Sequence, residues 1–568
     1  MIGVDWVCNI IRYKPGLAVG CAAAAVGRVL LSTLARTIST VAYPMPPPSR
    51  RLIYNYDAWG VFLWVKEVAD IRKNVDLFAG SQVTTIMLCP NMGQSTVYPS
   101  KVSELCHWRA QSPEERAKFH HELGTLFAQT SERVAALWRN QGIDAFGLVV
   151  QAVVDSGREA FATIRMNDVH CLTAEDRRGP YTDKFYRDHP EFRLQQSGGL
   201  NYARPEVRAH RLACFEELLR NYPFSGLELD FARGAPFFPA DFPPDHPAEG
   251  QHPHTFPRDF AEGSAPIMTE FIGEIRRMMD RVGRDKGRQL ELCVRVTSSL
   301  SGCRRVGLDP VEWHRRGYLN FLTVTRFLKL HYAMPIAEFK QALLGLRVCS
   351  TLEYILGGRG AHGVYIYPRD GTAEAYRGAA AVHYAQGSDG IYLFNFYVTR
   401  GNGLDPTGRD WCHTEPVEVL RQLGDPATLE GTDKLYLVDN VYDLFDFRFV
   451  DARELLPAAM TPDAPLLATM IVAEKNPAAR TCTLRVVTAK PEPGALMRVQ
   501  VNGRLQGPPR AAERPRLFDE PYDQDPPEVA RCRDFTVSGA DLRFGANEIA
   551  VLSSAPLTVT NIELAVTG

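Results

Sequence analysis

The stretch Tyr222-Pro-Phe-Ser-Gly-Leu-Glu-Leu-Asp-Phe-Ala-Arg233 decides how the rest of the chain is read. Gly226 to Phe231 alternates apolar and acidic residues with a period of two, the pattern of a short strand. Successive strand side chains face opposite ways, so Glu228 and Asp230 share one face while Leu227, Leu229 and Phe231 share the other. The segment follows a helix-like stretch, Val207 to Asn221, and precedes a Gly/Pro-rich loop, Gly234-Ala-Pro-Phe-Phe-Pro239. Helix, strand and turn-rich loop in that order make one repeat of a βα-barrel, where acidic residues at the C-terminal end of a strand point into the active-site mouth. The competing reading is a surface strand with two solvated carboxylates, and the remaining chain decides between them.

The theme recurs along the chain. Leu52-Ile-Tyr-Asn-Tyr-Asp57 is strand-like, with Asn55 and Asp57 two apart near its end, and Val83 to Cys89 is a second run. Phe146 to Val154 is an apolar run leading into Asp155, and Ala162-Thr-Ile-Arg-Met-Asn-Asp-Val-His170 passes from strand to loop through Arg165, Asn167, Asp168 and His170. Downstream lie Leu290 to Val296 carrying Arg295, Asn320 to Thr325, Gly363 to Tyr367, and Gly390 to Tyr397 with Asn395 and Tyr397 at its far end. Helical stretches fall at Pro113 to Gln141, Met268 to Gly283, Ile336 to Leu344 and Thr372 to Ala385. About eight strand-like runs alternating with helices argue for α/β with a parallel sheet. No Gly-rich phosphate loop follows any strand, which counts against a doubly wound nucleotide-binding sheet. The expectation is a (β/α)8 TIM-like barrel over residues 50–456.

After Pro457 the character changes. Leu466 to Val472, Thr481 to Val487, Leu496 to Asn502, Asp534 to Val537, Asn547 to Leu552 and Leu557 to Val566 are short strand-like runs with nothing helical between them. They predict an all-β sandwich over 457–568, read as a packing appendage rather than a glycan-binding module, since no Trp follows Trp411.

Residues 1–49 read as a leader and Pro-rich linker. Trp6 to Tyr56 contains no Asp or Glu, while Arg12, Lys14, Arg28 and Arg36 are basic. The small apolar run Gly16 to Gly27 is too short for a membrane span of about 20 residues. It suits an export or transit segment, or else a start codon assigned too early. The expected location is secreted or periplasmic in the first case and cytoplasmic in the second.

Composition narrows the chemistry. A net charge of −2 over 568 residues leaves no electrostatic footprint for nucleic acid. Twelve scattered Cys without a C-x-x-C pair indicate neither a zinc ribbon nor a disulfide scaffold. His120-His121-Glu122 lacks the H-E-x-x-H spacing, so neither a metal nor a cofactor is expected. No strand ends in G-x-S-x-G, which removes the serine esterases.

The stretch Phe224-Ser-Gly-Leu-Glu-Leu-Asp-Phe-Ala-Arg233 resembles the G-[IVL]-x-[IL]-D-x-x-R signature of TIM-barrel glycoside-hydrolase-like proteins, in particular the "glycosyl hydrolase-like 10" group and its bacterial relatives. Ile164 to His170 and Phe185-Tyr-Arg-Asp-His-Pro-Glu-Phe192 are similar to passages of such relatives. The resemblance covers about residues 50–400 and implies a (β/α)8 barrel acting on glycosidic bonds. The family-18 chitinase pattern D-x-x-D-x-D-x-E overlaps the same stretch, but Ser225, Glu228 and Ala232 depart from it.

Glycosidic cleavage needs one protonated carboxyl and one ionised carboxylate. Glu228 and Asp230 on one strand face would raise each other's pKa by like-charge repulsion, which keeps one protonated near neutrality. They are the expected catalytic pair, with Asp57, Asp155, Asp168 or Glu353 as sources of a second carboxyl from another strand. Arg165, Arg233 and Arg295 would orient carboxylates or bind an anionic substrate group. Asn55, Asp57, Asp155, Asn167, Asp168, His170, Asn395 and Tyr397 complete the expected substrate-binding set. The function expected is hydrolysis of a poly- or oligosaccharide. The alternatives are a lyase or metal-assisted hydrolase built on the same barrel, and a non-catalytic carbohydrate-binding barrel.

Overall fold

The computed structural model describes residues 50–56, 67–106, 122–168, 181–194, 197–232, 236–239, 261–326, 329–356, 360–361, 364–365, 369–396, 417–438, 455–520 and 526–568. Eight strands form a closed barrel: β1 Arg51–Tyr56, β2 Thr85–Leu88, β3 Glu159–Arg165, β4 Gly226–Asp230, β5 Glu291–Thr297, β6 Phe321–Thr325, β7 Arg347–Leu352 and β8 Gly390–Leu393. Every neighbouring pair is parallel, and β1 closes the ring against β8. The helices α1 Val68–Asp76, α2 Glu122–Gln141, α3 Ala145–Asp155, α4 Pro205–Asn221, α5 Ala265–Asp285, α6 Pro310–Arg315, α7 Ile336–Ala342 and α8 Ala373–Ala385 fall between successive strands. Parallel neighbours require such crossovers, because a hairpin turn can join only antiparallel strands.

The two-residue period sorts each strand into faces. Leu227 and Leu229 of β4 point outward into the apolar layer beneath the helices, together with Leu292, Val294, Leu322 and Val324. Helix α5 covers part of that layer with Met268, Phe271, Ile272, Ile275, Met279 and Val282, an i, i+3, i+4 stripe. The inward face is a separate cluster of Ile53, Met87, Phe161, Cys293, Phe321, Cys349 and Tyr392. Below this belt, at the start of the strands, Arg51 donates to Glu159 twice at 2.8 Å and to Glu291 at 2.6 Å, and Arg347 donates to Glu291 at 2.6 Å. The Arg51 guanidinium also lies 4.6 Å from the Phe321 ring centroid, which gives the buried charge an aromatic face as well as carboxylates.

Two sequence expectations are corrected here. The run Phe146 to Val154 is not a strand but helix α3, capped by Asp144, whose side chain accepts the Gly147 N–H. Its buried residues Phe146, Val149, Val150 and Val153 are spaced i, i+3, i+4, i+7. A continuous apolar run hides that spacing, so periodicity alone does not separate a buried helix from a buried strand. The seventh barrel strand is Arg347–Leu352 rather than the run Gly363 to Tyr367, of which the described residues Val364–Tyr365 pair with Gly360–Ala361 in a short ribbon. Arg347, Cys349 and Thr351 line the barrel interior, so β7 lacks the apolar signature that marks the other strands.

From Lys434 onward the described residues form two antiparallel sheets. β9 Lys434–Leu437, β10 Ala458–Met460, β11 Leu466–Val472, β12 Thr481–Thr488, β13 Met497–Val501, β14 Arg504–Leu505, β15 Arg510–Ala511, β16 Cys532–Val537, β17 Gly545–Ser553 and β18 Leu557–Thr567 pair in the orders β9-β18-β12-β16-β15 and β11-β17-β13-β14, with β10 on β18. Strand β9 is paired with β18 although 119 residues lie between them in the chain. It also packs on α8, where a Cβ at Gly378 would lie 2.1 Å from the Leu435 carbonyl oxygen. The barrel's outer layer and the sheets thereby share one apolar core. Among the described residues no helix is long and apolar enough to cross a membrane.

Gly226, the first residue of β4, sits where a Cβ would meet the Glu291 carbonyl oxygen at 2.2 Å and the Phe161 ring at 2.3 Å. Neither backbone nor a belt phenylalanine has room to yield. Gly226→Ala is therefore expected to cost at least about 3 kcal/mol, the upper range for overpacking a core, read as a lowered midpoint in urea unfolding; an unchanged midpoint would contradict this packing.

Candidate active site

The inward positions of β4 place two carboxyls one above the other on the barrel axis side, both essentially inaccessible to solvent. Glu228 is the lower. Its Oε1 accepts from Thr163 Oγ1 at 2.7 Å and from the Tyr392 hydroxyl at 2.9 Å, and Cys293 Sγ lies 3.8 Å from Oε2. Thr163 and Cys293 are its register partners on β3 and β5, so strand alignment alone delivers them. Tyr392 comes from β8 across the barrel and accepts in turn from Asn55 Nδ2 at 3.0 Å.

Asp230, the last residue of β4, is the upper. Arg295 Nη1 donates to both its oxygens, at 3.1 and 2.9 Å, and the Ala232 N–H donates to Oδ1 at 2.9 Å. The other arm of the guanidinium, Nη2, donates to Glu353 Oε1 at 2.5 Å and to Thr325 Oγ1 at 3.1 Å. Thr325 also donates to Glu353 at 2.8 Å, while Thr351 donates to Thr325 at 2.7 Å. Arg295 lies 3.7 Å from the Phe394 ring centroid. The barrel thus brings Asp230 and Glu353, from β4 and the end of β7, to opposite arms of one guanidinium.

Electrostatics separates the levels. Burial, then repulsion from Asp230, pushes the Glu228 carboxyl up to about 7, against the pull of Thr163, Arg295 and Tyr392. Burial, then the neighbouring Glu228, pushes the Tyr392 phenol well above its ordinary value, so it stays a donor. Arg295 is pushed up by Asp230 and Glu353 despite the opposing effect of burial and stays a cation.

The remaining expected residues separate into groups. Arg165 lies beside Asp230 in register, and its Nη1 donates to Asp168 at 3.2 Å. Asp168 also accepts from the Gly93 N–H at 3.3 Å, and its carbonyl accepts from Gln94 at 2.9 Å, tying the loop after β2 to the end of β3. Asn167 is spent on the same wall: it donates to the Leu200 and Pro236 carbonyls at 3.0 and 2.9 Å and accepts from the Leu200 N–H at 2.8 Å. Asn395 follows β8 with φ of 52°, a left-handed conformation that Asn tolerates. Asp155 is not brought to this site. It lies exposed on the last turn of α3, before β3 begins, and accepts from Gln151 at 2.8 Å. Asp57, His170, Arg233 and Tyr397 lie outside the described residues. Tyr392, Thr163 and Thr325 were missed by residue-by-residue reading; the available signal was parity, since each falls an even number of positions from an inward residue of its own strand.

Among the described residues no three His, Cys, Asp or Glu side chains converge as a metal cage requires. Asn55 Oδ1, Thr297 Oγ1 and Thr323 Oγ1 are buried on inward positions without a hydrogen-bond partner among the described residues.

No protein-family model matches this chain, and no curated protein does. Solved structures resemble it distantly. The PgaB (BpsB) glycoside hydrolase domain from Bordetella bronchiseptica is 11% identical over 66% of this chain and 99% of its own, with a TM-score of 0.39. A glycoside hydrolase family 18 N-acetylglucosaminidase from Paenibacillus barengoltzii is 10% identical over 66% and 99%, with a TM-score of 0.34. The maltogenic α-amylase AmyB from Thermotoga neapolitana is 9% identical over 90% and 98%, with a TM-score of 0.34. These neighbours are glycoside hydrolases, but at such scores the barrel assignment rests on this chain's own strand pairing, and the likeness to one particular glycosidase group has no support beyond the motif.

The folded chain holds the Glu228 proton up to about pH 7, whereas an unperturbed carboxyl at 4.5 has released it. The folded state therefore binds more protons between these values, and the Glu228 contribution to stability falls as pH rises through that window. Glu228→Gln removes this slope. Relative to the wild type, the variant is expected to gain stability on going from pH 4.5 to pH 8 by about 3 kcal/mol, at 1.36 kcal/mol per unit, in urea unfolding at the two pH values. Parallel pH profiles for the two proteins would show that Glu228 is not a titrating buried acid.

Proposed function

We propose that this chain is a barrel hydrolase that cleaves glycosidic bonds of a poly- or oligosaccharide by carboxylate acid/base chemistry at the C-terminal mouth of the barrel. The observation that carries the reading is the vertical pair Glu228–Asp230, which holds one proton close to neutral pH directly below the strand ends. Burial, then the neighbouring Asp230 charge, keeps that proton on Glu228. A carboxyl of this kind matches what general acid catalysis near neutrality demands.

The barrel wall supplies polar groups suited to a sugar. Asn55 Oδ1 has no protein donor and accepts a hydroxyl without displacing an existing bond, and Thr297 Oγ1 is similarly free. Arg165, held by Asp168, is the register neighbour of Asp230 on β3. Among the described residues, the inward thiols Cys293 and Cys349 are fully buried, and burial raises both.

The test is hydrolysis of a panel of plant, algal and bacterial polysaccharides, with reducing ends measured for the wild type and Asp230→Asn. The wild type should cut at least one glycan, and the variant should lose about 10²–10⁴-fold in rate, the share general acid catalysis supplies, while its circular dichroism and melting curve stay native-like. A wild type that cuts nothing while binding a glycan would instead support a non-catalytic carbohydrate-binding barrel.

A further inference from the structure

The Glu228–Asp230 pair is incomplete as a catalytic apparatus. Both carboxyls come from one strand, on one face, and Glu228 lies a full inward position deeper than Asp230. Cleavage of a glycosidic bond requires carboxyls on both sides of the anomeric carbon, one for the leaving oxygen and one for the face behind it. The pair supplies the first alone.

Glu353 occupies the complementary place. It follows β7 directly, with the parity of Cys349 and Thr351, and is fully buried on the inward side. Its Oε1 receives two donors, Arg295 Nη2 at 2.5 Å and Thr325 Oγ1 at 2.8 Å, both characteristic of an ionised carboxylate. Asp230 receives the opposite arm of the same guanidinium. The two acids therefore face each other across one planar cation at the last inward level of their strands. The Arg295 guanidinium carbon also lies 3.7 and 5.9 Å from the Phe394 and Tyr392 ring centroids, so the cation between the two acids is packed as well as paired.

We infer that Glu353 is the nucleophilic carboxylate of this site, opposite the Glu228–Asp230 acid/base pair, with Arg295 and Thr325 as its positioning residues. The inference rests on the hydrolase reading above. In the step it describes, a Glu353 oxygen forms a bond to the anomeric carbon as the bond to the leaving oxygen breaks, and that oxygen takes the proton of the Glu228–Asp230 pair. Water then returns a proton to the pair and gives its oxygen to the anomeric carbon, which releases Glu353 as the carboxylate. Charge and protons balance over the two halves, with water as the sole co-reactant.

The experiment uses the full chain and the glycan that the wild type cuts, with Glu353→Gly and Glu353→Gln. Both variants are expected to lose at least about 10³-fold in rate, as loss of a nucleophile does. Sodium azide should restore turnover to Glu353→Gly alone, with a glycosyl azide detected by mass spectrometry. A residue that merely braces Arg295 would show no azide product. Glu353→Gln keeps the shape and is expected to fold; if it does not, Glu353 is a structural ion-pair member and the inference is wrong. Cleavage by the wild type together with active Glu353 variants, or with folded inactive ones that azide does not rescue, overturns the inference and leaves the hydrolase reading standing. A wild type that cleaves nothing removes both.

Discussion

The guanidinium of Arg295 is the constraint on which the upper half of the barrel depends. A fully buried cation is tolerable only with anions and hydrogen bonds around it, since desolvation of an unpaired charge costs several kcal/mol. Here Asp230 and Glu353 take its two arms, Thr325 takes a further bond, and the Phe394 ring covers one face. The dependence runs the other way too. Without that cation, acids from β4 and β7 would stand close together in a low-dielectric interior, and like charges there drive protons back onto carboxyls. One residue from β5 thus lets a barrel carry an acidic centre without neutralising it.

The same solution appears at the other end of the barrel, where Arg51 and Arg347 meet Glu159 and Glu291. The two polar layers have different consequences. At the bottom two cations face two anions, and Thr85 gives Glu159 Oε2 a second donor at 2.6 Å, beside Arg51 Nε. At the top Glu228 is left as an additional acid without a cation of its own, and its proton is the outcome. Between them the belt of Ile53, Met87, Phe161 and Phe321 keeps water and charge of one layer from the other. Bottom-face polarity in such a barrel belongs to stability, and strand-end polarity belongs to chemistry.

Much of this was legible from residue patterns. The alternation in Gly226–Phe231 places Glu228 and Asp230 on one face, and the helix–strand order implies the parallel barrel that β4 joins. Arg295, Asn55 and Arg165 were legible because a charged or amide side chain within a strand stands out. Where the pattern was ambiguous the reading went astray. Helix α3 is too uniformly apolar to show its period, so Asp155 looked like a strand end, and β7 is too polar inside to look like a strand. Asn167 and Asp168 follow β3 directly, but only the loops that pack on them show that much of their hydrogen-bonding capacity goes to holding the wall.

The sequence by itself determined which side chains share a face and which class of architecture can bury the rest, because both follow from local periods of two and 3.6 residues. Tertiary structure alone decided that Arg295 meets Asp230 across 65 positions and Glu353 across 58, that Tyr392 reaches Glu228 from the strand that closes the ring, and that Glu228 retains its proton to about neutral pH. Those outcomes depend on the stagger with which eight strands close. That stagger is set by the sum of all the strand and helix packings, and no local stretch of chain encodes it.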